Sequence, residues 1–110
     1  MSARLPASLV ASALMRRVQE AGGFAAVLAR GDPDSGAMLL VARDRDNNHR
    51  LFERGLGPKG ESAMIDSTPT DSSPDSVEEY WRKRRQRDPD LWVIELDVPD
   101  AERFAAETMT

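Results

Sequence analysis

The residue types that could do chemistry in this chain are few, and the largest group is a run of basic side chains. Residues 82–87 (Arg-Lys-Arg-Arg-Gln-Arg) carry five positive charges. A cationic surface of this size can contact the carboxylates of an acidic protein or the phosphates of a nucleic acid. We therefore take five residues as candidate partner-binding residues: Arg82, Lys83, Arg84, Arg85 and Arg87.

A structural explanation of the same run stays open. Cations at the C-terminal end of a helix are stabilised by the helix dipole, and carboxylates one turn away, such as Glu78 and Glu79, can pair with them. Arginine stems also cover apolar surface. The run therefore predicts either a binding surface or an ordinary solvated helix end.

Two carboxylates form a second candidate site. Asp32 and Asp34 lie in the segment 31–36 (Gly-Asp-Pro-Asp-Ser-Gly), where they could hold a hard cation such as Mg²⁺ with waters completing its shell. Such a site would indicate a small metal-dependent enzyme of nuclease or hydrolase type. The alternative is turn chemistry, because Asp beside Pro and Gly commonly closes a tight turn with its own side chain.

Other catalytic classes lack their residues. The chain has no cysteine, which excludes thiolate nucleophiles, disulfides and cysteine-bearing zinc sites. His49 is the only histidine, and a solvated strand residue is its simpler interpretation. No glycine-rich turn joins a strand to a helix in the way that phosphate cofactors require, so we predict no cofactor.

The length and net charge of the chain indicate what kind of domain positions these residues. The chain has 110 residues, of which 40% are hydrophobic, and a net charge of −4, which fits one domain over residues 1–110. An acidic chain is not a general polyanion binder, so the basic run would be a local feature. No apolar stretch approaches the ~18 residues of a membrane span, and we expect a cytoplasmic protein with no membrane partner.

The first half of the chain predicts a helix followed by strands. From Pro6 to Ala21 apolar residues recur at intervals of three and four, which is typical of an amphipathic helix rather than a cleaved leader. Phe24 to Arg30 and Ala37 to Arg43 are apolar at successive positions. We expect these two segments to be the central strands of a sheet, joined as a β-hairpin through the turn at residues 31–36.

The second half predicts shorter elements around a polar segment. A third strand is expected over His49–Glu53 and a weak fourth over Ser62–Asp66. Residues 67–76 contain no apolar side chain and are predicted to be a flexible connector. A second helix then begins at Ser73-Pro74-Asp75 and ends at Asp88, and it is followed by a strand over Leu91–Asp97 and a helix over Pro99–Met109.

This order, α-β-β-β-(β)-α-β-α, predicts a single two-layer α+β domain. We expect a mainly antiparallel sheet of four or five strands with the helices on one face. The other sheet face would then be open and apolar, which predicts a homodimer through that face.

Two segments resemble a known family. They are residues 23–37, from Gly-Phe-Ala-Ala-Val-Leu to Gly-Asp-Pro-Asp-Ser-Gly-Ala, and residues 85–95, which contain Asp-Pro-Asp-Leu-Trp-Val-Ile-Glu. With a helix opening near Leu5, they are similar to short alphaproteobacterial proteins grouped as the domain of unknown function numbered fourteen ninety-one. The resemblance spans nearly the whole chain and implies a compact fold and a cytoplasmic location. It implies no activity and no site residue.

Two hypotheses of function follow. The first is a non-enzymatic binding or adaptor module that uses the basic end of the second helix for an acidic protein or a nucleic acid. The alternative is the small metal-dependent enzyme centred on Asp32 and Asp34.

Overall fold

The secondary structure follows the predicted order of elements. The computed structural model describes residues 5–43 and 48–109. The predicted fourth strand is present. Helix α2 also begins where the sequence predicts, because the Ser73 hydroxyl accepts a hydrogen bond from the Ser76 backbone N–H and Pro74 occupies the first turn. The elements are α1 (Ala7–Glu20), β1 (Phe24–Ala29), β2 (Met38–Arg43), β3 (His49–Leu56), β4 (Ser62–Asp66), α2 (Pro74–Arg87), β5 (Trp92–Asp97) and α3 (Ala101–Met109).

The sheet is mainly antiparallel, as predicted, but its strand order differs from the prediction. The order is β1-β5-β2-β3-β4, so the predicted β1–β2 hairpin is wrong. Strand β5 lies between the two, antiparallel to β1 and parallel to β2. Because β5 is apolar on both faces over its first three residues, a central position buries more of it than an edge would. Strand β1 becomes an edge strand.

Helices cover both faces of the sheet, which differs from the two-layer arrangement that the sequence suggested. Alternate residues of β2 point to opposite faces, and all five from Met38 to Ala42 are buried. Leu40 packs with residues of α1 and α3, whereas Leu39 and Val41 pack with α2. We call these the α1/α3 face and the α2 face. The protein is a single α+β domain with a five-stranded mixed sheet and three helices.

The segment predicted to be a flexible connector makes specific hydrogen bonds. The Ser67 backbone N–H donates to the Leu51 carbonyl at 2.8 Å, and the Thr68 hydroxyl accepts from the Leu51 N–H at 2.9 Å. Further along, the Ser72 carbonyl accepts from the His49 N–H at 2.9 Å. The mobility of residues 67–76 stays a prediction. Across residues 5–43 and 48–109, no helix is both long and apolar enough to cross a bilayer.

Candidate functional site

Arg84, in the middle of the basic run, is used inside the molecule. Its guanidinium donates to both carboxylate oxygens of Glu53 on β3, at 2.6 and 3.1 Å. The Ser67 hydroxyl donates to the same carboxylate. The side chains of Arg84 and Glu53 are only 30% and 24% exposed. This two-point ion pair ties α2 to the sheet, and the charge of Arg84 faces inward.

The ionisation of this pair reflects two opposing effects. Burial raises the pKa of Glu53, but hydrogen bonds from Arg84 and Ser67, together with the positive charge of Arg84, outweigh burial and leave that pKa below its ordinary value. The hydrogen bond to Glu53 also raises the pKa of Arg84. Both groups are therefore charged at neutral pH.

Arg85 is also committed to the fold. Its Nε donates to the Leu91 carbonyl at 3.1 Å, and one Nη donates to the carbonyls of Pro89 and Arg30 at 2.9 and 3.0 Å. These three carbonyls belong to the α2–β5 turn and to the residue that follows β1. Arg85 thus joins the two segments by satisfying backbone acceptors.

The other three cations of the run face solvent. Arg82 pairs with Glu78 at 3.1 Å and lies over the Trp81 ring, 4.8 Å from its centroid. Lys83 pairs with Glu79 at 3.0 Å. Arg87 is exposed, and it forms no ion pair within the part of the chain that the structure describes. We define Arg82, Lys83 and Arg87 as the basic patch.

The predicted metal residues form a turn. One carboxylate oxygen of Asp32 accepts hydrogen bonds from the backbone N–H groups of Asp34 and Ser35, at 3.1 and 2.8 Å, and from the Ser35 hydroxyl at 3.0 Å. The hydrogen bonds from Ser35 lower the pKa of Asp32, and the bond from its backbone N–H has the largest effect. The Asp34 carbonyl accepts from the Ala7 N–H at 3.0 Å, which satisfies a donor at the start of α1.

This turn is fixed further by its neighbours. The Trp92 indole N–H donates to the Asp32 carbonyl at 2.7 Å. A Cβ added to Gly31 or Gly36 would overlap the Asp90 carbonyl oxygen, so both glycines allow a close backbone approach. Among the residues described, no group of three or more His, Cys, Asp or Glu could hold a metal ion.

A third surface was not identified from the sequence. A cavity of about 210 Å³ lies on the α2 face between the start of α2 and the strands, and we call it the α2 groove. It contains His49, which the sequence suggested was only a solvated strand residue, and Glu95 of β5. Predicting it required knowing that β5 lies beside β1 and that α2 covers this face. The lining residues are Leu28, Val41, His49, Pro74, Asp75, Glu78, Trp81, Arg82 and Glu95.

Comparison with known proteins identifies related chains. A protein-family model described as "Protein of unknown function (DUF1491)" matches residues 5–106. No curated protein matches the chain.

Three solved structures are similar to this one. A crystal structure of a DUF1491 family protein from Caulobacter crescentus CB15 is 28% identical with a TM-score of 0.79, and the alignment covers 92% of this chain and 94% of that one. An NMR structure of a DUF1491 family protein from the same organism is 30% identical, covers 94% of both chains and has a TM-score of 0.77. The solution structure of protein Atu0922 from A. tumefaciens is 28% identical, covers 89% of both chains and has a TM-score of 0.73.

Proposed function

Because the chain belongs to the DUF1491 family, whose description gives no function, we propose a function from the geometry of its own residues. The protein is a non-enzymatic binding module of the bacterial cytoplasm that holds an acidic segment of a partner protein on its basic patch. The observation that carries this proposal is the division of the basic run. Arg84 and Arg85 stabilise the fold, whereas the side chains of Arg82, Lys83 and Arg87 are exposed, the first two in solvent-exposed ion pairs with Glu78 and Glu79.

The distribution of charge along α2 favours a protein partner over a nucleic acid. The first half of the helix exposes three carboxylates, those of Asp75, Glu78 and Glu79, and the second half carries the basic patch. A phosphate backbone that continued past the patch would meet these carboxylates on a chain of net charge −4. A short acidic segment can contact the patch without crossing the acidic half.

Two observations support the proposed cytoplasmic location: the amino-acid composition of the chain and the source of the similar structures. A chain without cysteine fits a reducing compartment, and the related structures come from the bacteria Caulobacter crescentus and A. tumefaciens.

A titration with defined probes tests this proposal. Fluorescence anisotropy is measured with a short labelled peptide rich in Glu and Asp and, separately, with a short DNA duplex, at about 50 and 200 mM salt. We expect the protein to bind the peptide more tightly than the duplex, with an affinity that falls as salt rises. If each exposed cation contributes about 0.5 kcal/mol, replacing Arg82, Lys83 and Arg87 by Gln weakens peptide binding by roughly tenfold.

The matched control removes three exposed cations elsewhere. Replacing Arg16, Lys59 and Arg103 by Gln changes the net charge equally. We expect this variant to bind like the wild type apart from the loss of general attraction. Equal weakening in both variants would show that only net charge matters and would refute the patch. Preferential binding of the duplex would assign the patch to a nucleic acid instead.

The predicted homodimer through an open sheet face stays a prediction. Helices lie on both faces, which leaves less uncovered apolar area than the sequence suggested, although Phe24 and Leu28 remain exposed. Sedimentation equilibrium over a range of protein concentrations tests it directly. A single monomer mass at all concentrations would rule the homodimer out.

A further inference from the structure

Strand β1 is an edge strand without the usual protection. It pairs with β5 on one side only, and its sequence, Phe-Ala-Ala-Val-Leu-Ala, has no charged residue. Phe24, Val27 and Leu28 are 60%, 37% and 40% exposed. Edge strands usually carry lysine, proline or inward-facing charges that prevent pairing with another chain. An edge that lacks them can accept an added strand through backbone hydrogen bonds.

A bulge sets the length of this edge. Pairing with β5 is regular from Phe24↔Asp97 to Val27↔Ile94 and then shifts between Val27 and Ala29. A bulge of this kind interrupts the ladder and turns the strand locally. An added strand therefore has the four residues from Phe24 to Val27 available for regular pairing. Leu28, at the bulge, lines the α2 groove.

The α2 groove beside this edge contains a carboxylate without a protein partner. Glu95 is half-buried in a strand between two others, and in residues 5–43 and 48–109 its carboxylate makes neither an ion pair nor a hydrogen bond. The nearby Glu78 is already paired with Arg82. Removing a carboxylate from water without a partner costs free energy. A cation supplied from outside would offset that cost.

The register shows how such a cation could reach Glu95. Glu95 is paired directly with Ala26 of β1, and the Ala26 side chain ends at Cβ, so the space above it is not filled by that residue. Adjacent strands lie 4.7–4.9 Å apart, which places a strand added to β1 roughly 10 Å from β5. A lysine or arginine extended across Ala26 can close this gap together with the Glu95 side chain, and Leu28 and Val41 offer apolar surface for its stem.

We propose that β1 binds an extended segment of a partner protein in which basic and apolar residues alternate. The backbone of the segment pairs with Phe24–Val27, a lysine or arginine lies against Glu95 on the α2 face, and an apolar residue packs beside Val27 on the α1/α3 face. A second copy of this chain fits less well, because its own β1 would bring no cation to Glu95. This surface is separate from the basic patch except at Arg82, which borders the groove.

NMR of the labelled full chain with a defined peptide tests this inference. The probe is a short peptide in which valine and lysine alternate. Its control is the same peptide with alternate backbone nitrogens methylated, which removes the donors needed for pairing. We expect the first peptide to slow amide hydrogen exchange and shift resonances within Phe24–Val27, and the methylated peptide to do neither.

Three variants separate the contributions. Glu95→Gln keeps the shape of the side chain and is expected to weaken peptide binding by about tenfold. Glu102→Gln, an exposed carboxylate on α3, removes the same charge and is expected to leave affinity nearly unchanged. Ala26→Lys places a cation opposite Glu95 within the chain and is expected to abolish binding while raising the Tm.

Several results would overturn the inference. They are equal binding of the methylated peptide, equal weakening by Glu95→Gln and Glu102→Gln, protection at β4 instead of β1, or no binding at all. Resonances of β1 that shift with protein concentration in the absence of peptide would assign the edge to a second copy of the chain. The two proposals can fail independently. Lys83→Gln with Arg87→Gln removes most of the basic patch and is expected to leave the affinity for this peptide intact, whereas the acidic-peptide titration tests the patch itself.

Discussion

The ion pair between Arg84 and Glu53 provides the sharpest test of how the basic run is divided. The perturbation is a double-mutant cycle of Arg84→Gln, Glu53→Gln and the combined variant. Two charge-assisted hydrogen bonds join side chains that are 30% and 24% exposed. The expected coupling is therefore about 1–2 kcal/mol, above that of an exposed pair and below the cost of breaking a fully buried one.

Thermal and urea unfolding followed by circular dichroism measure this coupling. For a domain of this size we expect each single variant to lower the Tm by roughly 5–10 °C. The control is Arg82→Gln on the same helix, whose exposed pair with Glu78 is expected to contribute about 0.3–0.5 kcal/mol. A coupling energy below about 0.5 kcal/mol would refute the structural role of Arg84 and return it to the candidate binding residues.

The same cycle has a defined pH dependence. The pKa of Glu53 is lower in the folded protein than its ordinary value of 4.5, so its ionised form favours the folded state. The stabilisation is complete above the unfolded-state pKa and is lost as the pH falls through the folded-state pKa. The stability difference between wild type and Glu53→Gln should therefore be constant near neutral pH and shrink below about pH 4.5. A difference that grew on acidification would contradict this assignment.

Three further predictions concern the turn at residues 31–36 and its contacts. Trp92→Phe keeps a ring in the core but removes the hydrogen bond to the Asp32 carbonyl, and we expect it to lower the free energy of urea unfolding by about 1 kcal/mol or somewhat more. Gly36→Ala is expected to be far more destabilising, because the added Cβ overlaps the Asp90 carbonyl oxygen. A Tm within a few degrees of that of the wild type would contradict the close approach of the Gly36 backbone to this oxygen. Addition of Mg²⁺ or Mn²⁺ is expected to leave the Tm unchanged, because one carboxylate oxygen of Asp32 already accepts three hydrogen bonds. A rise in the Tm of the wild type that is absent from the double variant Asp32→Asn with Asp34→Asn would support the metal-dependent enzyme.

The local elements could be predicted from the sequence because their causes are local. Ser73 and Pro74 start α2 through the geometry of its first turn. Gly22, with a φ of +84°, follows α1 as a residue that tolerates the left-handed conformation. Turn chemistry likewise explained the Asp32 carboxylate, which accepts its three hydrogen bonds from Asp34 and Ser35, two and three positions along the chain.

The roles of the basic residues could not be predicted, because their partners are distant in the chain. Glu53 is separated from Arg84 by 31 positions, and the Arg30 carbonyl lies 55 positions before Arg85. A run of cations looks the same in a sequence whether each one meets solvent, a carboxylate or a backbone carbonyl. The division into structural and exposed cations appears only when β3 and the α2–β5 turn are placed around the helix.

The edge position of β1 could not be predicted from the sequence, for a different reason. This position creates the exposed edge that we propose as the binding site for an added strand. Strands β1 and β2 have similar apolar sequences, and the short turn between them favours a hairpin on local grounds. The prediction fails because β5 competes for the same place and brings apolar residues to both faces, leaving β1 outside. The exposed side chains of β1 and the unpaired carboxylate of Glu95 are thus consequences of one event, the insertion of β5. Ala26→Lys is expected to block the added strand by giving Glu95 a partner within the chain, and to leave binding through the basic patch intact.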